Sequence, residues 1–194
     1  MKKHKNLTIH DKVHLILTEI EYVLNEIDSY QVELFIKEIL KAKKIVVCGA
    51  GRVGMVARGF AMRLGHLGLT AYTVGDSTVP SIGKKDLLIA CSGSGETQTI
   101  YDLVIRAKET GTRIALVSSY IDHNKSRMAR LADTVLVINA PSKTKKISGF
   151  TSGQPMTTLN EQALQIFFDA LVLLFMEQMD ESHETMWNRH SILE

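Results

Sequence analysis

Proline, cysteine and tryptophan are scarce in this sequence: three, two and one residues among 194. So few prolines exclude a Pro-rich linker protein. The two cysteines, Cys48 and Cys91, each end an apolar run. They read as buried thiols in a reducing compartment rather than as a bridge. No charge sign dominates, with 23 Lys and Arg against 21 Asp and Glu, so binding to polyanions by bulk charge is excluded. The longest apolar patch, Leu171 to Met176, falls far short of the roughly 20 residues a membrane-spanning helix needs. The basic start MKKHKN reaches Asp11 and Lys12 before any apolar stretch, so no secretory signal is expected. The expectation is a cytoplasmic protein. A chain of this length buries roughly 70% of its unfolded surface, enough to hold a core without disulfide or metal.

What is present is a change of hydrophobic period along the chain. Asp11 to Ile27 carries Val13, Ile16, Leu17, Ile20, Val23, Leu24 and Ile27 on one helical stripe, and Gln31 to Lys41 reads as a second helix. From Lys44 the pattern becomes short continuous apolar runs, the mark of strands buried on both faces. These runs are Ile45–Gly49, Thr70–Val74, Leu87–Ser92, Arg113–Ser118 and Thr134–Asn139. Helical stretches at Val53–Leu67, Glu96–Thr110 and Ser126–Leu131 separate them. A polar loop from Asn139 to Pro155 then leads into a long helix, Thr157 to Met179. Strands alternating with helices predict an α/β fold: a three-layer α/β/α sandwich around a five-stranded parallel sheet with right-handed crossovers. The whole of residues 1–194 is expected to form one domain, with residues 1–43 helical, 44–139 the sheet core, and the remainder a substrate loop, helix and tail.

Two glycine-rich loops follow strands, where open parallel sheets bind ligands. The first, Gly49-Ala50-Gly51-Arg52-Val53-Gly54, matches G-x-G-x-x-G, and Asp76 stands near the place of a ribose-binding acid. A tight strand-to-helix turn accounts for this motif equally well. The second, Ser92-Gly93-Ser94-Gly95-Glu96-Thr97, is harder to explain blandly. Helix capping needs one hydroxyl, whereas this loop has three around two glycines. Glycines admit a close ligand, and amides at a helix start favour an anion, so the loop reads as a phosphate cradle.

Those loops belong to a longer set of blocks: GAGRVG from Gly49, FAMRLGHLG from Phe60, VGDSTVP from Val74, DLLIACSGSGET from Asp86, QPMTTLNEQ from Gln154, and RHSILE from Arg189. Together they resemble the 6-phospho-3-hexuloisomerase family of SIS (sugar isomerase) domains, over most of the chain. The resemblance implies a flavodoxin-like SIS fold and a homotetramer; no cofactor is expected, and no metal, because no Cys/His/Asp constellation suggests one. It implies interconversion of D-arabino-hex-3-ulose 6-phosphate and D-fructose 6-phosphate in the ribulose monophosphate pathway of formaldehyde fixation. The pathway partner would be 3-hexulose-6-phosphate synthase. It implies that Ser92, Gly93, Ser94, Gly95, Glu96 and Thr97 hold the phosphate and that Glu161 matches the proton acceptor. One position departs: the family usually carries a substrate-contacting serine where this chain has Val53. Gly51, Arg52 and Val53 are the expected substrate contacts of this loop; at Val53 either the backbone alone contributes or the contact is lost, and Arg52 could equally make an inter-subunit ion pair.

Moving a carbonyl between C3 and C2 requires one proton off C2, an enediol, and one proton onto C3, which a single carboxylate performs from one face. Glu161 is the candidate base. His66 and His190 are candidates for moving a proton between the two oxygens. The tail carries Trp187, Ile192 and Leu193 and is too apolar for a free end, so His190 is expected to complete a site across a subunit interface. The other histidines show no metal-ligand spacing, and Met62, Met128 and Met156 read as packing residues. Three other readings stay open: a nicotinamide-dependent oxidoreductase, another sugar-phosphate isomerase, and a sugar-phosphate sensor without activity. Nothing indicates nucleic acid, since residues 1–44 hold eight lysines against seven acids and no basic face.

Overall fold

The computed structural model describes residues 8–119, 126–141, 147 and 149–193. Two helices open the described chain, α1 (Ile9–Leu24) and α2 (Ser29–Lys41). Then β1 (Ile45–Gly49), α3 (Gly51–His66) and β2 (Ala71–Thr73) form the first crossover unit. The elements β3 (Leu87–Cys91), α4 (Gln98–Glu109), β4 (Arg113–Ser118), α5 (Arg127–Leu131) and β5 (Thr134–Val137) complete the sheet. A long α6 (Thr158–Met179) and a short α7 (His183–Trp187) follow.

All strand pairs are parallel and the order is β2-β1-β3-β4-β5. Because strand side chains alternate, each strand feeds two cores. Ile45, Val47, Leu87, Ile89, Ala115 and Val117 point to the layer built from α1, α2, α3 and α6. Val46, Leu88, Ala90, Ile114 and Leu116 point to the layer of α4 and α5. This is the expected three-layer sandwich with a five-stranded parallel sheet. Cys48 faces the α4 side and Cys91 the α3 side, so the two free thiols stand on opposite faces of the sheet.

The boundaries and stripes differ from expectation in several places. Helix α3 begins at Gly51 rather than Val53, so Arg52 and Val53 lie in its first turn. Helix α4 begins only at Gln98, leaving Glu96 and Thr97 in the loop. On α1, Ile20 and Val23 are buried, but Val13 and Leu17 are exposed, so two of the seven stripe residues have little cover among the described residues. Met128 packs as expected, whereas Met62 and Met156 are exposed. The lysine-rich run 143–146 lies outside the described residues. Helix α6 is 22 residues long and contains an 18-residue stretch of mean hydropathy 1.3, so by length and composition alone it could cross a bilayer. Its Leu159, Ala163, Phe167, Phe168, Leu171 and Phe175 are instead buried in the core beside α3, with Phe168 stacked on Phe60.

Candidate active site

The chain runs from β1 outward to β2, then returns to the other side of β1 with β3. That reversal opens a crevice beyond the carboxyl ends of β1 and β3. The two glycine-rich loops leave those two strand ends. In the first loop the glycines serve the backbone. Gly51 turns the chain at φ +58, and a Cβ on Gly54 would lie 2.5 Å from the Gly49 carbonyl oxygen. Close helix–strand contact therefore accounts for this motif. Asp76 stands beyond β2, half-exposed, with its nearest cation Arg58 at 3.9 Å.

The second loop is held open. Ser92 Oγ and Thr97 Oγ1 bond each other at 2.9 Å, and Ser94 Oγ accepts from the Glu96 amide at 3.2 Å. Neither serine nor threonine caps α4. The backbone N–H groups of Gly93, Ser94, Thr97, Gln98 and Thr99 find no acceptor among the described residues. Helices α1, α2, α5 and α7 have side-chain caps, from Thr8, Asp28, Ser126 and Ser182. Among the described residues, α3, α4 and α6 have none. Their three starts meet at this crevice. Uncapped amides and aligned helix dipoles make such a place attractive to an anion.

Glu96 does not open toward this space. Its carboxylate accepts from the Arg127 backbone N–H and, at 2.7 Å, from Arg127 Nε, while Arg127 Nη2 donates to the Glu96 carbonyl at 3.1 Å. The guanidinium also stacks 4.2 Å from the Tyr101 ring centre. Burial works against the Glu96 charge, but the bonds from Arg127 outweigh it and hold the carboxyl below its ordinary value of 4.5. Arg127 is thus the brace of the loop, invisible in the sequence because it arrives from α5. Behind the loop, Ser119 Oγ donates to Asn160 Oδ1 at 2.6 Å, both residues buried. A Cβ on Gly93 would lie 3.1 Å from Asn160 Nδ2 and 3.0 Å from Ser119 Oγ. A buried asparagine on a helix next to a glutamate was the available signal for this pair.

Helix α6 also brings Glu161. Its Oε1 accepts from Thr157 Oγ1 at 2.9 Å, and its Oε2 lies 3.0 Å from Arg52 Nη1 without an aligned hydrogen bond. Arg52 reaches on to Thr158 Oγ1 at 3.4 Å. The Glu161 side chain is 11% exposed and that of Arg52 55%, so a shielded carboxylate faces an open cation. A cleft of about 350 Å3 lies beside them, lined also by Ile20, Met55, Gln162 and Gln165. Val53 points the other way. Its side chain packs against the core and borders a void of about 10 Å3 with Ser92, Gly93 and Asn160.

The two histidines are elsewhere. Helix α3 starts at the carboxyl edge and has 16 residues, so His66 at its end is about 22 Å from Gly51. His66 is buried, its ring 5.2 Å from that of His190, and Arg189 Nη1 donates to its carbonyl at 2.9 Å. Trp187 stacks on His190 at 5.1 Å. Ile192 and Leu193 are exposed. Within one chain the structure brings Glu161, Arg52 and both loops together, and His66 with His190, but not the one group with the other.

The SIS domain model matches residues 38–167. The 3-hexulose-6-phosphate isomerase of Mycobacterium gastri is 36% identical over 186 residues, 96% of this chain and 92% of that protein. The Bacillus subtilis enzyme of the same name is 33% identical, over 92% of this chain and 95% of its own. A crystal structure of a Methanococcus jannaschii protein, from which that isomerase function was inferred, superposes with a TM-score of 0.81 at 29% identity. The match spans 95% of this chain and 99% of that one. The chain belongs to the SIS-domain family, alongside the 3-hexulose-6-phosphate isomerases.

Proposed function

We propose that this isomerase interconverts D-arabino-hex-3-ulose 6-phosphate and D-fructose 6-phosphate through an enediol, in the cytoplasm, on the ribulose monophosphate route of formaldehyde fixation. The observation that carries the reading is the meeting of three uncapped helix starts around the Ser92–Thr97 loop, with Glu161 and Arg52 at its margin. The amides of Gly93, Ser94, Thr97, Gln98 and Thr99, with the hydroxyls of Ser92, Ser94 and Thr97, hold the 6-phosphate dianion. Glu96 serves from outside, as the acceptor that ties the loop to Arg127. Val53 contributes only its backbone, since its side chain is turned into the core.

With the phosphate fixed, C1 to C3 extend toward Glu161. Its carboxylate removes the proton from the carbon beside the substrate carbonyl, C2 of the hex-3-ulose or C3 of fructose 6-phosphate. The electron pair moves into a 2,3-enediol as the carbonyl oxygen gains a proton. Returning the proton to the former carbonyl carbon, while the neighbouring hydroxyl gives up its own, completes the ketose exchange. Arg52 supports the negative charge that develops on the oxygens. Thr157 fixes the carboxylate's rotamer through Oε1.

Because His66 and His190 lie at the opposite edge of the sheet, they serve a site only if a second copy presents them. The exposed apolar side chains of α1, α3 and α6 — Leu17, Met55, Met62, Ile166 and Leu173 — support assembly, which we take to be a tetramer. One experiment tests the reaction. Formaldehyde, ribulose 5-phosphate and 3-hexulose-6-phosphate synthase are supplied, and fructose 6-phosphate is measured with and without this protein. The expected outcome is product only with the protein; its absence overturns the reading. Glu161→Gln should keep the fold and phosphate binding while turnover falls by about 100-fold or more. Mixing inactive Glu161→Gln and His190→Ala chains should restore part of the activity if the histidine is shared between copies, and none otherwise.

A further inference from the structure

Glu19 lies on the buried face of α1, 6% exposed, far in sequence from either loop. A buried carboxylate costs several kcal/mol unless its charge is answered. No Lys or Arg among the described residues lies within ion-pair distance of it. Instead Ser152 Oγ donates to it at 2.7 Å, the Gly153 amide at 2.6 Å and Gln154 Nε2 at 2.9 Å. Three consecutive residues thus spend their donors on one side chain. The approach is close: a Cβ on Gly153 would lie 2.9 Å from Leu15 Cδ2 and 3.5 Å from Glu19 Oε1.

Just past Gln154 the backbone enters a bend under strain. Met156 takes a left-handed backbone at φ +56 while its side chain is 86% exposed. A non-glycine residue stays in that region only where its surroundings over-determine it. The exposed Met156 side chain has little to contribute, so the hold comes from both sides of it: the clamp two residues earlier, and Thr158, whose N–H and Oγ1 donate to the Pro155 carbonyl at 3.2 and 2.8 Å. One residue later Thr157, itself at φ −109 and ψ 20, donates to Glu161 Oε1. Ile20, the neighbour of Glu19, lines the cleft beside Glu161 and Arg52.

We infer that Glu19 is a positioning residue: it pins residues 152–154 and, through the Met156 bend and Thr157, fixes the Glu161 carboxylate opposite Arg52. The inference rests on the reading of Glu161 as the proton acceptor. The phosphate loop is carried by β3 and braced by Arg127, so its main supports are separate from this clamp, and α6 reaches it through Asn160.

The test compares the full-length chain with Glu19→Gln, which keeps the shape but turns an amide N–H2 against one of the three donors. Turnover number and KM are measured in the coupled assay, with hydrogen exchange of peptides covering 149–161. The expected result is a turnover number lower by roughly 10- to 100-fold, with KM changed by less than about threefold. Amides of 152–157 should exchange about tenfold faster or more, while those of β1 and β3 should not. A folded variant with turnover within about twofold of the original, or with unchanged exchange at 152–157, overturns the inference. Should Glu19→Gln not fold, Glu19→Asp keeps the charge one methylene short and carries the same comparison. If the unaltered chain makes no fructose 6-phosphate, the proposed reaction fails, and the exchange data alone still decide whether Glu19 anchors the segment.

Discussion

Replacing Gly95 with alanine strikes the proposed phosphate loop at its tightest point. Gly95 has φ +65, a conformation that costs an L-residue roughly 1 kcal/mol or more. The added Cβ would sit 2.4 Å from Ser126 Oγ, so that hydroxyl must swing away. It then gives up its cap on α5, where it accepts from the Ala129 amide at 3.3 Å, a contact worth about 1 kcal/mol. It also gives up its donation to the Gly95 carbonyl at 3.3 Å, another contribution of about 1 kcal/mol or less. The sum is about 3 kcal/mol, and for a domain of this size each kcal/mol lowers Tm by about 2–4 °C. Thermal unfolding of Gly95→Ala should therefore show a Tm lower by about 6–12 °C. The double variant Gly95→Ala with Ser126→Gly removes the collision and, because glycine is a tolerable N-cap, should regain about half of the loss. Fructose 6-phosphate should raise Tm of the parent and not that of the single variant. A single variant within about 2 °C of the parent, or a double variant no better than the single, would refute the reasoning.

Burial pushes the Cys48 thiol up to about 12 and that of Cys91 well above its ordinary 9.0, so neither should react with a neutral-pH thiol reagent until the chain unfolds; labelling of the native protein within minutes would contradict the packing. Burial opposes the charge on Glu19, but the bonds from Ser152, Gly153 and Gln154 outweigh it and hold its carboxyl, like that of Glu96, below 4.5. Groups with lowered folded values stabilise fully above the unfolded value, and that contribution is lost as pH falls through the folded one. Tm should thus be insensitive to these groups near neutrality and fall as pH drops below 4.5; a Tm that rises on that acid limb would contradict the assignment. Ser119→Ala leaves the buried Asn160 acceptor unanswered, at a cost of about 1–3 kcal/mol, read as a Tm decrease of about 2–12 °C.

The sheet was legible because strands buried on both faces give continuous apolar runs, and the five runs from Ile45 to Val137 have no other good reading. The two loops were legible for the same reason: they are tethered to strand ends, so their place in space follows from topology. Glu161 could be named only through resemblance, because a glutamate in the first turns of a helix carries no local signal of what faces it. Arg127, Ser119 and Glu19 stayed hidden, since each reaches its partner across tens of residues and periodicity reports only neighbours on one element. The stripe of α1 misled in a definite way. Val13 and Leu17 share the apolar stripe with the buried Ile20 and Val23, yet lie exposed among the described residues. Composition along a helix cannot separate a face that meets its own sheet from one that meets a second copy.

The distribution of caps links stability to binding. Four helices close their amino ends with their own side chains, at about 1 kcal/mol each, so the chain has no shortage of capping residues. The three that forgo a cap are those whose starts converge on one crevice, and at one of them suitable hydroxyls stand by, engaged with each other. Random omission does not select convergent helices. Leaving them open keeps amides available at a cost of about 3 kcal/mol in the unliganded protein, which a bound anion offsets. By linkage, a ligand at 100 times its Kd stabilises by about 2.7 kcal/mol, similar in size to the three missing caps. On the proposed reading, the same dianion that anchors the substrate completes the fold at that edge. On the proposed reading, Glu161, brought in by the third uncapped helix, acts on the sugar at the end where the phosphate does not reach.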